Sequence, residues 1–148
     1  MKTLRTKKLP RAANRRSDFL KAQRACDVTF GKLIRARAHD VCEIHEQVRV
    51  RRIIDFPVKC GIDRCAFHLI AKGQSSGLRY DFNNVVCACT GVNLWEAINR
   101  NLFEKWIPIL FPERWEVLQP RRRWHAKRNT FMLKIMREEF KKKLEELL

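Results

Sequence analysis

Residues 65–93 of the chain read CAFHLIAKGQSSGLRYDFNNVVCACTGVN. The stretch opens with an apolar run around a single histidine, His68, and continues through a Gly- and Ser-containing loop over residues 72–77 to paired asparagines and cysteines. The apolar run over residues 65–71 predicts a strand, because short apolar runs bounded by turn residues are typical of strands. A lone histidine in such a strand is either a core side chain or a chemically active one.

The segments on either side predict helices and one further strand. Apolar residues at spacings of three and four predict an amphipathic helix over residues 18–38, and an i, i+4 apolar stripe predicts another over residues 129–148. Alternating apolar and charged residues predict a first strand over residues 48–54. A helix should begin near Asn93, and Pro112 suits the first position of a later one. The fold class is therefore α+β, with a small two-stranded core and helices at both ends.

The positive charge of the chain is concentrated at its two ends. The net charge is +16, of which residues 1–24 carry +8 and residues 120–148 carry +6. Two cationic ends around a near-neutral centre favour a polyanion such as DNA as the partner. The alternative is a solubilising tail and a solvated helix face.

Composition also predicts how the chain is divided. Residues 1–16 are predicted to be a flexible basic arm, because they are basic and lack apolar periodicity. Residues 17–148 should form one domain, with a core over residues 42–100 and a helical extension over residues 101–148. The sequence contains no secretory signal and no apolar run long enough to span a bilayer, so we expect a cytoplasmic protein without a membrane partner. The six cysteines should then be reduced.

The spacing of several residues in the central stretch resembles the HNH motif, also called the ββα-metal unit. The form concerned is that of phage recombination nucleases of the NinG (Rap) type, and the matching positions are His68, Leu78-Arg79-Tyr80, Asn84, Cys89 and Asn93. Weaker similarity continues to about residue 118. Val92 stands where the family pattern has its second cysteine.

The resemblance implies a role for each matching polar residue. His68 would be the general base that activates water, and Asn84 would orient the loop that holds it. Asn93 would bind the catalytic metal, and its amide oxygen suits Mg²⁺ or Mn²⁺. Arg79 could bind the scissile phosphate with its fork of donors or could instead form a structural ion pair.

The metal ligands are less complete than in many HNH proteins. Phe67 occupies the position before the base, where many members have an aspartate; NinG-like proteins also lack that aspartate. Asp81 and Asp63 are the candidate substitutes.

Cysteine and histidine spacing predicts a second, structural metal site. Cys42 and His45 are spaced as one zinc knuckle, and Cys89 offers a third ligand. Three further cysteines are candidates for the fourth ligand: Cys65, which we place in the set, and the alternatives Cys60 and Cys87. The other hypothesis is that zinc has been lost and that Val92 packs in its place.

The leading prediction is a metal-dependent DNA endonuclease of the phage recombination type. The resemblance adds branched DNA, such as a Holliday junction, as the substrate. The main rival is a non-catalytic nucleic-acid-binding protein on a degenerate HNH scaffold, and a third candidate is a regulatory or packaging accessory protein that binds DNA non-specifically. The sequence leaves the oligomeric state open, a dimer included.

Overall fold

A computed structural model describes residues 12–148 of the chain. Its elements follow in this order: α1 Ala12–Arg37, α2 Glu43–Val50, β1 Arg64–His68, β2 Val85–Cys89, α3 Thr90–Ile98, α4 Arg100–Leu110, α5 Pro112–Leu118 and α6 Thr130–Leu147. Short 3-10 turns occupy Ser76–Leu78 and Gln119–Arg121. The α+β class is confirmed. No helix within residues 12–148 combines the length and the apolar character needed to cross a lipid bilayer.

The first helix begins earlier than the sequence predicted. We predicted a flexible arm over residues 1–16, of which residues 1–11 lie outside the described part of the chain. Residues 12–16 are already helical, so the prediction is wrong for them. They follow the last proline of this region, Pro10, and consist of Ala, Asn and Arg, of which Ala and Arg favour helix.

The single sheet is an antiparallel hairpin of β1 and β2. His68 is paired with Val85 at one end of the ladder, and Arg64 with Cys89 at the other. The first strand overlaps the predicted apolar run and begins one residue before it, at Arg64, whereas no strand was predicted at the position of its partner, β2. All five residues of β2, VVCAC, are buried, as expected for a strand covered on both faces.

The strand predicted over residues 48–54 is wrong, because α2 covers its first residues. Ile44 and Val48 stand four residues apart, so they share one helix face; Ile44 is fully buried and Val48 packs against the same core cluster. Glu43 and Glu46 in the first turn of α2 also interact favourably with the helix dipole. Helical periodicity therefore prevails over the short alternation at residues 48–51.

Helices cover both faces of the hairpin. One face packs Phe67 and Val86 against Phe103 of α4 and its neighbours. The other packs Val85 and Cys87 against the apolar sides of α1 and α6. The helix predicted from Pro112 and the terminal helix are confirmed, whereas α3 begins at Thr90 rather than near Asn93.

Residues 119–129, which we call the C-terminal strap, cross over the loop that precedes β2. The backbone N–H of Gly77 donates to the Trp124 carbonyl at 3.0 Å, and the Ser75 hydroxyl donates to the same oxygen at 2.6 Å. Arg128 donates to the Ser76 carbonyl at 2.7 Å. A Cβ atom at Gly77 would lie 2.6 Å from Cε3 of Trp124, so only glycine fits under the indole.

Candidate functional site

A group of four cysteine and histidine side chains lies at the junction of α2, β2 and the chain that leads into β1. The ligand atoms of Cys42, His45, Cys60 and Cys89 all lie within 4.8 Å of one another. The Nδ1 atom of His45 is 3.2 Å from Sγ of Cys42 and 3.7 Å from Sγ of Cys89. Around a tetrahedral zinc, neighbouring sulfur and nitrogen ligands are about 3.5 Å apart. The group can therefore hold a metal ion, and its donor set fits zinc.

The orientation of His45 also suits a metal ligand. Its Nε2–H donates to the Val58 carbonyl at 2.8 Å, so the Nδ1 lone pair faces the two thiols. A backbone carbonyl in this position fixes the ring and the tautomer, as is usual for metal-binding histidines. Phe56 packs edge-on against the imidazole, with 5.5 Å between ring centroids.

The pKa values of two thiols of the group are shifted in opposite directions. Burial raises the pKa of Cys42 to about 12. Burial also pushes the pKa of Cys89 upward, but the backbone N–H groups of Gly61 and Val92 outweigh it, and the pKa of Cys89 is lowered overall. A metal ion would have to displace protons from this group on binding.

The fourth member of the group differs from the one we predicted. We placed Cys65 in the ligand set, but Cys60 occupies that place. Cys65 lies on β1 opposite Ala88, whereas the residue paired with Cys89 is Arg64. Val92 is fully buried in the core, as one alternative predicted, yet the four-residue group exists beside it.

The predicted catalytic residues His68 and Asn93 line one cleft of about 300 Å³. Lys72, from the loop after β1, lies on its wall, and so do Glu96 of α3 and Arg100 of α4. The hairpin followed directly by α3 brings the strand histidine and the first turn of the helix together, as the resemblance implied.

His68 is held as a neutral imidazole. Its Nε2–H donates to the Arg79 carbonyl at 2.8 Å, so Nδ1 carries the lone pair, and no residue in the described part of the chain bonds to Nδ1. Burial lowers the pKa of His68 to about 4, and the positive charges of Lys72 and Arg79 add to the effect. The ring is therefore unprotonated at neutral pH, with the lone pair of Nδ1 available.

Asn84 joins the two ends of the loop between β1 and β2. Its side-chain oxygen accepts the Ile70 N–H at 2.7 Å, and its amide nitrogen donates to the carbonyls of Ile70 and Leu78 at 3.0 and 3.1 Å. These contacts fit the loop-orienting role that the resemblance gave to Asn84. The neighbouring Asn83 is exposed.

Arg79 forms the ion pair that was one of its two predicted roles. Its guanidinium donates to both carboxylate oxygens of Asp27 at 2.9 and 2.6 Å. The Tyr80 hydroxyl donates to the same carboxylate at 2.8 Å. Burial alone would raise the pKa of Asp27, but these donors outweigh it and lower that pKa. Since the fork of Arg79 is occupied, the phosphate-binding role does not suit it.

The sequence reasoning missed Glu96 and Lys72 in the cleft. Glu96 follows Asn93 by three residues on α3, so the two side chains share a helix face. Its carboxylate accepts a bond from Arg100 at 2.6 Å. The i, i+3 spacing on a predicted helix was a usable signal. The proposed substitutes, Asp81 and Asp63, do not line the cleft, and Asp81 is paired with Arg121.

Comparison of the chain with protein-family models, with curated proteins and with solved structures finds no match. The function therefore has to be argued from the site alone.

Proposed function

We propose that this protein is a metal-dependent endonuclease of the HNH type that hydrolyses phosphodiesters in DNA. One observation carries the proposal: neutral His68, with its Nδ1 unbonded in the described residues, lines the same cleft as Asn93 and Glu96. The order β1, β2, α3 supports it, because an antiparallel hairpin followed by a helix is the element order of the ββα unit. The net charge of +16 favours an anionic polymer as substrate.

In the proposed reaction, Nδ1 of His68 removes a proton from the attacking water. The Nε2–H of His68 donates to the Arg79 carbonyl, and this hydrogen bond fixes the orientation of the ring. The bond becomes stronger when the imidazole gains a positive charge. Asn93 and the carboxylate of Glu96 offer oxygen ligands for Mg²⁺ or Mn²⁺. Such an ion, when bound, supplies stabilisation of the negative charge on the phosphate and the leaving oxygen.

We infer that Cys42, His45, Cys60 and Cys89 hold a structural zinc ion. The zinc would tie the connection between α2 and β1 to the end of β2, next to the first turn of α3 that carries Asn93. Metal analysis and thermal unfolding test this without reference to activity. About one zinc per chain and a lower melting temperature after chelation are expected. Zinc-free protein that unfolds at an unchanged temperature would contradict it.

The nuclease proposal is tested with linear, forked and four-way DNA in Mg²⁺ and in Mn²⁺. His68→Ala should slow cleavage by about 100-fold or more and leave DNA affinity nearly unchanged, because a positioned general base contributes rate rather than binding. His125→Ala is the matched control, since His125 is exposed and lies outside the cleft. A His68→Ala protein that cuts at the wild-type rate would refute the assignment.

Two observations favour the second candidate, a non-catalytic nucleic-acid-binding protein. Glu96 is already bonded to Arg100, and Phe67 precedes His68 where an acidic ligand could stand. Salt-dependent DNA binding without cleavage in either metal would establish this candidate. Equal affinity for duplex and junction, again without cleavage, would indicate the accessory protein instead.

A further inference from the structure

Two of the three cations around the His68 cleft are occupied by carboxylates. Arg79 makes its two-pronged ion pair with Asp27. Arg100 bonds to Glu96 at 2.6 Å, lies 3.7 Å from Glu104, and also donates to a backbone carbonyl. Bringing either guanidinium to a substrate would break a partly buried ion pair, which is costly.

The third cation, Lys72, is exposed on the loop after β1 and lines the same cleft as His68. No carboxylate within residues 12–148 lies within 4.0 Å of its ammonium group. No atom lies within 4 Å of a Cβ position at the next residue, Gly73, so the loop is open to solvent there. An ammonium on a flexible stem suits a phosphate as a mobile point charge with three donors.

Two further cations, Arg24 and Arg35, lie on α1 outside the lining of the cleft. A Cβ atom placed on Gly31 would lie 3.8 Å from the Cβ atom of Ala66, and Ala66 lines the cleft. Arg24 and Arg35 lie seven residues before and four after Gly31, so all three share one helix face. Eleven residues of helix span roughly 16 Å, a distance that covers two to three phosphates of an extended strand. Neither arginine has a carboxylate partner in the described residues.

We propose that Lys72 binds the scissile phosphate of a nucleic-acid strand that passes along this face of α1, with Arg24 and Arg35 contacting the phosphates on either side. The inference rests on the proposed function, because it places the substrate beside His68. It assigns the role that the sequence had given to Arg79.

The test uses thymidylyl-thymidine, a dinucleotide with one phosphodiester, and no added divalent metal. Its single phosphodiester occupies one subsite at a time, so amide perturbations report which subsite it binds. Titration followed by ¹⁵N-resolved NMR should perturb amides of the cleft. Lys72→Ala should raise the Kd by about 10- to 100-fold, the value of a hydrogen bond to a charged group. Lys72→Arg should restore most of the affinity. The matched control is Lys105→Ala, since Lys105 is exposed on α4 and does not line the cleft.

A longer single strand tests the flanking contacts. For a twelve-nucleotide strand, the slope of log K against log salt should become shallower by about 0.7 for each of Arg24→Ala and Arg35→Ala. An unchanged slope in both variants would remove α1 from the path.

The outcomes separate this inference from the nuclease proposal. If no metal supports cleavage but Lys72→Ala weakens dinucleotide binding, the nuclease proposal fails and the phosphate site stands. If the wild type cuts DNA while Lys72→Ala cuts equally fast and binds the dinucleotide equally well, the role of Lys72 is wrong. A dinucleotide that perturbs no cleft amide in the wild type also overturns it.

Discussion

Replacement of Asn84 by alanine should destabilise the protein far more than replacement of the adjacent Asn83. The side chain is fully buried at the end of the loop between β1 and β2 and makes three hydrogen bonds to backbone groups, two at Ile70 near its start and one at Leu78 in its middle. Alanine would leave the Ile70 N–H and the carbonyls of Ile70 and Leu78 without their partners.

The size of the effect follows from those contacts. Each unsatisfied buried backbone group costs about 1–3 kcal/mol, and water entering the space left by the carboxamide would recover part of that. We therefore expect a loss of about 3–5 kcal/mol in the free energy of unfolding, a large fraction of the 5–15 kcal/mol typical of a domain. The urea midpoint should fall by about 2 M, given a slope of about 2 kcal/mol per molar.

Asn83→Ala provides the control for this measurement. Asn83 is adjacent and exposed, and it is bonded only through its backbone: its N–H donates to the Asp81 carboxylate at 2.8 Å, and its carbonyl accepts from Arg114 at 3.4 Å. Its replacement should change the free energy of unfolding by less than about 0.5 kcal/mol. Equal urea midpoints for the Asn83 and Asn84 variants would refute the view that Asn84 holds the loop.

A second readout reports on the site rather than on overall stability. The loop that Asn84 closes carries the Arg79 carbonyl, which accepts the Nε2–H bond of His68. If the Asn84→Ala loop loosens, water reaches His68 and its pKa should rise from about 4 toward the ordinary value near 6.5. An NMR pH titration of His68 measures this, and an unchanged pKa would show that the loop keeps its position without Asn84.

Three other predictions concern different parts of the fold. Gly77→Ala should displace the Trp124 indole, cost about 1–3 kcal/mol of stability and change the tryptophan fluorescence; an unchanged spectrum and midpoint would contradict the tight contact. Cys60→Ser should lose the zinc measured by mass spectrometry, whereas Cys65→Ser should keep it; loss only in the Cys65 variant would reverse our ligand assignment. The pKa of His68 is lower in the folded chain than in the unfolded chain, so the unfolded chain binds a proton at this residue first as the pH falls. The stability that neutral His68 contributes is therefore complete above pH 6.5 and is lost as the pH falls to about 4. The loss amounts to at most about 3 kcal/mol, and urea unfolding across that range should show it in the wild type but not in His68→Phe.

Sequence patterns predicted the parts of the fold that depend on local periodicity. The long helices α1 and α6 repeat apolar residues at helical spacing over many turns, so their existence could be read directly, though α1 begins before the predicted residue 18. The segment at residues 43–54 could not, because Val48 and Val50 alternate with arginines while Ile44 and Val48 are spaced for a helix. The burial of Ile44 resolves the conflict, and burial is a tertiary property.

The candidate site was predictable to a similar extent. The motif spacing links a strand to a helix and so singled out His68 and Asn93, which line one cleft; their catalytic roles remain predictions. Cys60 was only an alternative, since the path of the chain between α2 and β1 decides which cysteine reaches Cys42. The ion pair of Arg79 depends on Asp27 of α1, and no local pattern connects residues so far apart.

The packing of α1 against α6 has a consequence for synthesis on the ribosome. Phe30 of α1 stacks on Phe140 of α6 with 4.8 Å between ring centroids, and residues 38–129 lie between the two helices in the sequence. As the chain emerges, the part of the apolar side of α1 that α6 covers therefore stays exposed until residues 38–129 and α6 itself have been translated. Contacts between such distant segments form slowly, and exposed apolar surface favours aggregation in the meantime. A nascent chain stalled before α6 should consequently recruit chaperones, and one stalled after α6 has left the exit tunnel should release them.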